Sequence, residues 1–307
     1  MIRNQHTSED IAHQAAQWFA RMLESDLADH EYSEFRAWLQ SDEKHAAAYA
    51  KLEKLWQTAG SEPLQTGSSS SRRTVLKATG SLIALGAIAG GLGLHQIRKA
   101  DFETGIGQRQ LVTLDDGSEI ELSAATSVSL AFSQKERRIL LHSGEVYCRV
   151  ATAPARPFVV QTDSLTATAL GTAYSVRSYD GHGASVTVTE HDVLVETSGS
   201  SKMISAGEAV DTFNGRISPV LHGENENRLA WTRGSLVFLS TPLGDVITSL
   251  NRWRNGRLVV LDDELATRPV TAIIDISRIE TIDQTLADGL ELNVTSYTPW
   301  LTLVSGK

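Results

Sequence analysis

The spacing of apolar residues along this chain changes with position, and each change marks a different kind of element. Over residues 8 to 58 they recur at helical intervals in three short runs: Ile11, Ala15, Trp18, Phe19 and Met22; Tyr32, Phe35, Trp38 and Leu39; Ala48, Tyr49, Leu52, Leu55 and Trp56. A stripe of that period is the mark of an amphipathic helix. Polar, acidic breaks separate the runs, and Asp29 and Ser41 are the expected caps of the second and third helices. From Phe102 to about Leu221 the period falls to two. There Leu111 to Leu114, the tight turn Asp115-Asp116-Gly117 and Ile120 to Leu122 read as a hairpin. Further strands follow at Arg138 to Leu141, Phe158 to Gln161, Ala173 to Val176, Val186 to Val188 and Val193 to Glu196. With no helix-length stripe among them, this part is expected to be an all-β sandwich or short β-solenoid. The last segment, from Arg228, mixes the two periods. Strands are expected at Leu236 to Leu239, Leu258 to Leu261, Val270 to Ile276, Leu292 to Tyr297 and Trp300 to Val304. One helix is expected after Thr241-Pro242, carrying Leu243, Val246, Ile247 and Leu250, and another from about Ile279 to Ala287, giving two β-α-β halves.

Between the helical and the strand-rich parts lies an uncharged run, Ala78 to Ile97, flanked by Lys77 and by Arg98 and Lys99. At 1.5 Å per residue such a helix reaches about 30 Å, the thickness of the hydrocarbon core of a lipid bilayer. The expectation is one transmembrane helix over 78–97, with residues 1 to 77 in the cytoplasm and residues 98 to 307 outside it; a buried helix of a soluble domain is the alternative. Just before it, Ser71-Arg72-Arg73-Thr74-Val75-Leu76-Lys77 resembles a twin-arginine export signal, with Arg72 and Arg73 as its paired cations. The same two arginines also fit the basic flank that keeps one end of a membrane helix in the cytoplasm. Residues 60 to 71 read as a Ser/Gly linker, so the connecting region as a whole is 60–77.

Composition narrows the function classes. With 41% hydrophobic and 21% charged residues the chain is ordinary globular protein, and a net charge of −9 argues against direct nucleic-acid binding. The acidity reaches the first seventy residues, where eleven Asp and Glu outnumber six Lys and Arg. That module would be repelled by phosphates and suits a protein partner. A lone cysteine, Cys148, excludes an internal disulfide, and its alternation with Tyr147 and Arg149 places it among strand core residues. His142, His182, His191 and His222 are scattered without metal-ligand spacing, so no metal and no cofactor is expected. No set of acids, bases and nucleophiles converges, so the chain does not read as an enzyme.

Specific residue orders then point to a family. Ala15-x-x-Trp18, Phe35-x-x-Trp38-Leu39, His45-x-x-Ala48-Tyr49 and Leu55-Trp56 resemble the N-terminal domain of FecR-type transmembrane anti-sigma regulators, with Asp42-Glu43-Lys44 standing where many members carry a proline. The resemblance implies that residues 1–59 bind an extracytoplasmic-function sigma factor in the cytoplasm. Trp18, Phe35, Trp38, Leu39, Tyr49 and Trp56 are the expected contacts, since aromatic residues dominate binding hot spots; they could equally be the core of a small bundle. Gly107-Gln108-x-x-x-Val112-x-Leu114-x-Asp116-Gly117-Ser118, Leu122 to Ser127, Arg138-x-x-x-Leu141-x-x-Gly144-Glu145, Pro157 to Val160 and Leu170-Gly171-Thr172-Ala173-Tyr174-Ser175-Val176 are similar to the family's periplasmic domain, here 101–222. Some members self-cleave at such a Gly-Thr pair, which makes Gly171 and Thr172 candidates for the same acyl shift; a tight strand connection explains the pair equally well. Trp231-x-x-Gly234-x-Leu236-x-Phe238-x-x-Thr241-Pro242-Leu243 and Leu250-Asn251-Arg252 resemble the family's C-terminal α+β domain, here 228–307. By that resemblance it receives the signalling domain of a TonB-dependent outer-membrane receptor. Leu243, Leu250, Asn251, Arg252 and Trp253 are its candidate contacts, although Asn251-Arg252-Trp253 could equally just end a helix and pack.

The expectation is therefore a multidomain regulator of the bacterial inner membrane: a small all-α cytoplasmic domain, one span, an all-β periplasmic domain and a short C-terminal α+β domain. It would relay an iron-uptake signal from the outer-membrane receptor to the sigma factor, with membrane proteases completing the relay. A membrane-anchored scaffold or binding protein without a sigma factor is the alternative.

Overall fold

The computed structural model describes residues 8–23, 27–58, 100–179 and 183–307. The run 78–97, the region 60–77 with Arg72 and Arg73, and His182 lie outside the described residues.

The three helical stripes form three helices, α1 (Ser8–Met22), α2 (Asp29–Ser41) and α3 (Glu43–Thr58). Helix α1 buries Ile11, Ala12, Ala15, Ala16, Phe19 and Ala20, and α3 buries Leu52. Four alanines on one face let α1 approach its neighbours closely. Helix α2 buries no residue. Its start is tied down from two sides, because Glu31 accepts the Ala28 N–H at 2.8 Å and takes the Arg21 guanidinium at 2.7 and 2.9 Å. Those bonds hold the Glu31 carboxyl down at about 2. The expected caps sit elsewhere in register. Asp29 lies in the first turn of α2, Ser41 closes that helix, and Asp42 accepts the Lys44 N–H at 2.9 Å where α3 begins.

The β domain contains β1 (Phe102–Glu103), β2 (Gln110–Thr113), β3 (Glu119–Leu122), β4 (Ser127–Phe132), β5 (Arg137–Ser143), β6 (Glu145–Arg149), β7 (Phe158–Gln161) and β8 (Thr166–Ala169). It continues with β9 (Ala173–Tyr179), β10 (Gly183–Glu190), β11 (Asp192–Glu196), β12 (Ser201–Ser205), β13 (Glu208–Phe213), β14 (Arg216–Ile217) and β15 (Leu221–His222). One sheet runs β1-β4-β5-β7-β8-β11-β12 and the other β14-β13-β10-β9-β6-β3-β2, with β15 beside β13. Alternate residues from both sheets, among them Ile120, Leu122, Ile139, Val146, Cys148, Phe158, Tyr174, Val186 and Val195, meet in one core. This is a sandwich, and period-two patterning is what fills it from both faces. The hairpin turn forms at Gly117, whose φ of +82° suits glycine.

The C-terminal domain follows a short helix α4 (Asn225–Arg228) and a 3₁₀ turn (Ala230–Arg233). It comprises β16 (Ser235–Pro242), α5 (Leu243–Leu250), β17 (Arg257–Val260), α6 (Asp263–Thr267), β18 (Pro269–Asp275), a second 3₁₀ turn (Ile276–Thr281), α7 (Ile282–Gly289), β19 (Leu292–Thr298) and β20 (Leu301–Gly306). Two β-α-β halves closing one sheet are not what forms. Strand β16 pairs with β18 in a two-stranded ribbon, while β17 pairs in parallel with β20 in a separate three-stranded sheet. Each half thus splits its strands between two sheets, with α5 and α7 buried among them.

The expectation of a single transmembrane helix is corrected. Among the described residues no helix is long and apolar enough to cross a membrane. The longest, α3, has 16 residues, short of the roughly 20 that a bilayer requires. Nor do the two ends of the chain stay apart. Ala12, Ala15, Ala16, Phe19 and Leu52 share a core with Val259, Leu261, Leu301 and Leu303 on the outer face of the three-stranded sheet. Lys51 reaches Asp263 and the Leu261 carbonyl at 2.5 and 2.6 Å, and the Arg257 guanidinium lies 4.9 Å over the Trp56 ring.

Candidate functional site

Five of the six bundle residues singled out from sequence, Trp18, Phe35, Trp38, Tyr49 and Trp56, come together. Trp18 lies 5.6 Å from Phe35 and 6.4 Å from Trp38, and Phe35 lies 4.8 Å from Tyr49. Phe19 bridges Tyr49 and Trp56 at 5.8 and 5.4 Å. His45 stacks on Trp38 at 4.7 Å, and the Trp38 indole N–H donates to Gln14 at 2.7 Å. These rings join the three helices, as a core does, yet Trp18, Phe35, Trp38, Leu39, Tyr49 and Trp56 are all only partly buried. Tyr32 beside them is 44% exposed and Leu55 38%. Burial, with a smaller effect from Glu53, pushes the Tyr49 hydroxyl up to about 12, so it stays a neutral donor. An acidic bundle with a half-covered aromatic cluster is suited to a protein partner.

Gly171 and Thr172 link β8 in one sheet to β9 in the other. They line an open cavity of about 290 Å³ together with Glu119, Arg149, Thr152, Glu190 and His191. Gly171 has φ +149°, and a Cβ there would stand 2.9 Å from the Thr152 hydroxyl and 3.1 Å from its Cα. Glycine is therefore required both by conformation and by space. The Thr172 hydroxyl is buried and has no hydrogen-bond partner among the described residues, whereas the Thr172 carbonyl is held by the Val150 N–H at 2.9 Å. A hydroxyl with no partner, next to the carbonyl carbon of a residue in an uncommon conformation, is the raw material of an N-to-O acyl shift.

The C-terminal residues expected to meet a receptor domain are mostly interior. Leu243, Leu250 and Trp253 are buried in the core of their own domain. Asn251 acts as a strand mimic, donating to the Leu258 carbonyl at 2.9 Å and accepting the Leu258 N–H at 2.8 Å. Arg252 donates to the Ala124 carbonyl of the β domain at 2.5 Å. The large apolar residues this domain does expose include Leu239 and Ile273 on its two-stranded ribbon, 57% and 76% exposed, and Trp300 in the turn before β20.

One site escaped sequence reasoning altogether. Arg137, 1% exposed, carries its charge into the sandwich to meet Asp116 at 2.6 Å. Its signal was the alternation Arg137, Ile139, Leu141, in which a cation occupies a core position. Burial opposes ionisation of Asp116, but hydrogen bonds from Arg137 and Ser118 outweigh it and lower the carboxyl below its usual value. Cys148 is buried, and burial raises its thiol far above the ordinary range. Among the described residues no group of His, Cys, Asp and Glu is placed to hold a metal ion.

Comparison with known proteins gives two family matches. Residues 100–194 match the model described as "FecR protein", and residues 13–55 match a domain of unknown function, DUF4880. No curated protein matches the chain. Among solved structures, two crystal structures of a "putative anti-sigma factor" from Parabacteroides distasonis, at 1.65 and 2.50 Å resolution, superpose with TM-scores of 0.61 and 0.60. Each is 22% identical and covers 67% of this chain and 98% of its own. At that identity the likeness establishes a shared fold.

Proposed function

We propose that the chain, whose residues 100–194 match the FecR family model, is an anti-sigma regulator whose bundle α1–α3 binds a sigma factor. The observation that carries this reading is the bundle itself: acidic, matched by the family's N-terminal region, and built on aromatic rings that are only partly covered, with a helix α2 that buries nothing. A bundle selected only for its own stability would bury its tryptophans. The resemblance to FecR regulators supports the finer reading. The partner is an extracytoplasmic-function sigma factor, the protein works at the bacterial inner membrane, and the C-terminal domain receives the signalling domain of a TonB-dependent receptor concerned with iron uptake. On the present geometry Leu243, Leu250, Asn251, Arg252 and Trp253 serve that contact by shaping the domain and its neighbour rather than by presenting themselves to solvent. Affinity capture with the full chain as bait tests the reading. A sigma factor in the eluate supports it, and its absence favours the scaffold reading.

We infer further that Gly171-Thr172 is a processing point, by self-cleavage or as a place where proteases complete the relay. The unpartnered Thr172 hydroxyl supports this. In self-cleavage the Thr172 oxygen attacks the Gly171 carbonyl carbon and the C–N bond breaks. The amine takes the hydroxyl proton, and water then opens the ester to leave a Gly171 carboxylate and a free Thr172 N-terminus. Mass spectrometry of the purified chain tests this directly: a fragment beginning at Thr172, absent in Thr172→Ala, is expected, and a single intact mass in the unaltered protein refutes self-cleavage.

A further inference from the structure

The two faces of the β6–β9 strand pair have different neighbours. Val146, Cys148, Tyr174 and Val176 point into the sandwich. The alternate residues Glu145, Tyr147, Ser175 and Arg177 face the C-terminal domain. Glu145, 7% exposed, accepts two hydrogen bonds on one oxygen, from the indole N–H of Trp231 at 2.8 Å and from the hydroxyl of Ser175 at 2.8 Å. Trp231 is 3% exposed and belongs to the core of the C-terminal domain. Further bonds surround this one. Arg109 donates to the carbonyls of Trp231 and Thr232 at 2.7 and 2.9 Å, the Gly107 N–H donates to the Arg252 carbonyl at 3.0 Å, and Arg177 donates to Ser249 at 3.2 Å. Ala124 is buried in the C-terminal core and Tyr147 packs against it. Even the backbone is specialised here. Gly107 has φ +69°, and a Cβ there would lie 2.9 Å from the Trp253 carbonyl oxygen.

At one end of the strand pair Glu145 stands opposite Arg177, and at the other Arg149 stands opposite Ala173, the residue after Thr172. The bond from Val150 to the Thr172 carbonyl extends the same ladder by one step. We propose that Glu145–Trp231 is a joint through which the C-terminal domain sets the firmness of the Gly171-Thr172 turn, with β6–β9 as the rod between them. While the joint is closed the turn is held. When the C-terminal domain shifts, Glu145 loses its indole donor, the carboxylate is left buried with fewer partners, and the end of the ladder that fixes Thr172 loosens. A buried acceptor that loses its donor carries a large desolvation cost, so such a joint has two states rather than a continuum. The proposal deepens the reading of the C-terminal domain as the receiving end and of Gly171-Thr172 as a processing point, but its test needs neither a sigma factor nor cleavage.

Hydrogen exchange followed by mass spectrometry on the full chain reads the joint. Trp231→Phe removes the N–H and keeps an aromatic ring. Its expected effect is roughly tenfold faster exchange over 145–149 and 172–176, in line with loss of one hydrogen bond to a charged group, with no change over 158–161 and 193–196. Glu145→Ala removes the other half of the same bond and is expected to give the same pattern, and the double variant no more than either. Ser249→Ala, which removes a different contact of the same interface, is expected to leave the turn unchanged. No change at the turn in both Trp231→Phe and Glu145→Ala overturns the proposal, as does a uniform rise across the whole sandwich or an additive double variant.

Discussion

Asp116→Ala is expected to destabilise the sandwich by about 3 kcal/mol, and the reason lies in Arg137. That side chain is 1% exposed, and its anionic partner among the described residues is Asp116, 10% exposed, at 2.6 Å. Removing one member of a buried pair strands the other and costs roughly 3–5 kcal/mol. Here the lower end applies, because the guanidinium keeps the Ala151 and Arg156 carbonyls, each at 2.9 Å, and its position 5.3 Å from the centre of the Phe158 ring. Asp116→Asn keeps an oxygen for Arg137 and loses only the charge, so about 1 kcal/mol is expected. Urea unfolding at pH 7, followed by far-ultraviolet circular dichroism with the slopes compared, measures both. The Asp116 carboxyl is lowered from 3.8 in the folded state. Its contribution is therefore complete above pH 3.8 and is lost as pH falls below that value, so the gap between the unaltered protein and Asp116→Asn closes only in that acidic range. An Asp116→Ala cost below about 1 kcal/mol refutes the reasoning, as does a gap that closes on the alkaline side.

Other consequences follow from particular positions. Gly144→Ala places a Cβ 2.2 Å from the Thr126 hydroxyl oxygen and 2.5 Å from its Cα at a φ of +92°, and a loss of roughly 3 kcal/mol or more is expected in the same unfolding assay. Glu31 is held at about 2 against 4.5 when free, so the tie between α1 and α2 is complete above pH 4.5 and lost as pH falls towards 2; faster hydrogen exchange of α2 should appear only in that window, and Glu31→Gln should remove the dependence. Lys51 and Asp263, 2.5 Å apart, are expected to be joined by a zero-length carbodiimide crosslink in the purified chain. No crosslink between the two residues in the purified chain contradicts the packing of the bundle on the C-terminal sheet.

Much of the fold could be read from local pattern, and what could not was non-local. The stripes at Ile11 to Met22 and Ala48 to Trp56 became α1 and α3 because helical periodicity needs no knowledge of the partner. The hairpin at Asp115-Asp116-Gly117 was legible because its turn demands a glycine at positive φ. By contrast, nothing local announces that Leu236 to Phe238 pairs with Ala272 to Ile274 while Leu258 to Val260 crosses to Thr302 to Val304. Strand partners are chosen by packing across the domain. The pairing of Glu145 with Trp231 spans 86 residues and the burial of Arg137 depends on Asp116, so each looked like an ordinary surface charge. The contact of the bundle with Val259, Leu301 and Leu303 was likewise hidden, since an apolar sheet face does not name its cover. At the candidate sites, the glycine turn before Thr172 and the helical stripes that carry Trp18, Phe35, Trp38, Tyr49 and Trp56 were legible. The extent of burial was not, because it is set by elements far along the chain.

The central claim is that the bundle binds a sigma factor through its half-covered aromatic cluster. Calorimetric titration of the captured sigma factor with the full chain, compared with Phe35→Ala, measures it most directly, with circular dichroism confirming that the variant keeps its helices. Phe35 touches Trp18, Trp38 and Tyr49 at 5.6, 6.3 and 4.8 Å, and truncation of such a hot spot costs about 2 kcal/mol, which is roughly thirtyfold in affinity. The account predicts a weakening of that order in a folded variant. Unchanged affinity in a folded Phe35→Ala chain, or no measurable binding by the unaltered one, contradicts it.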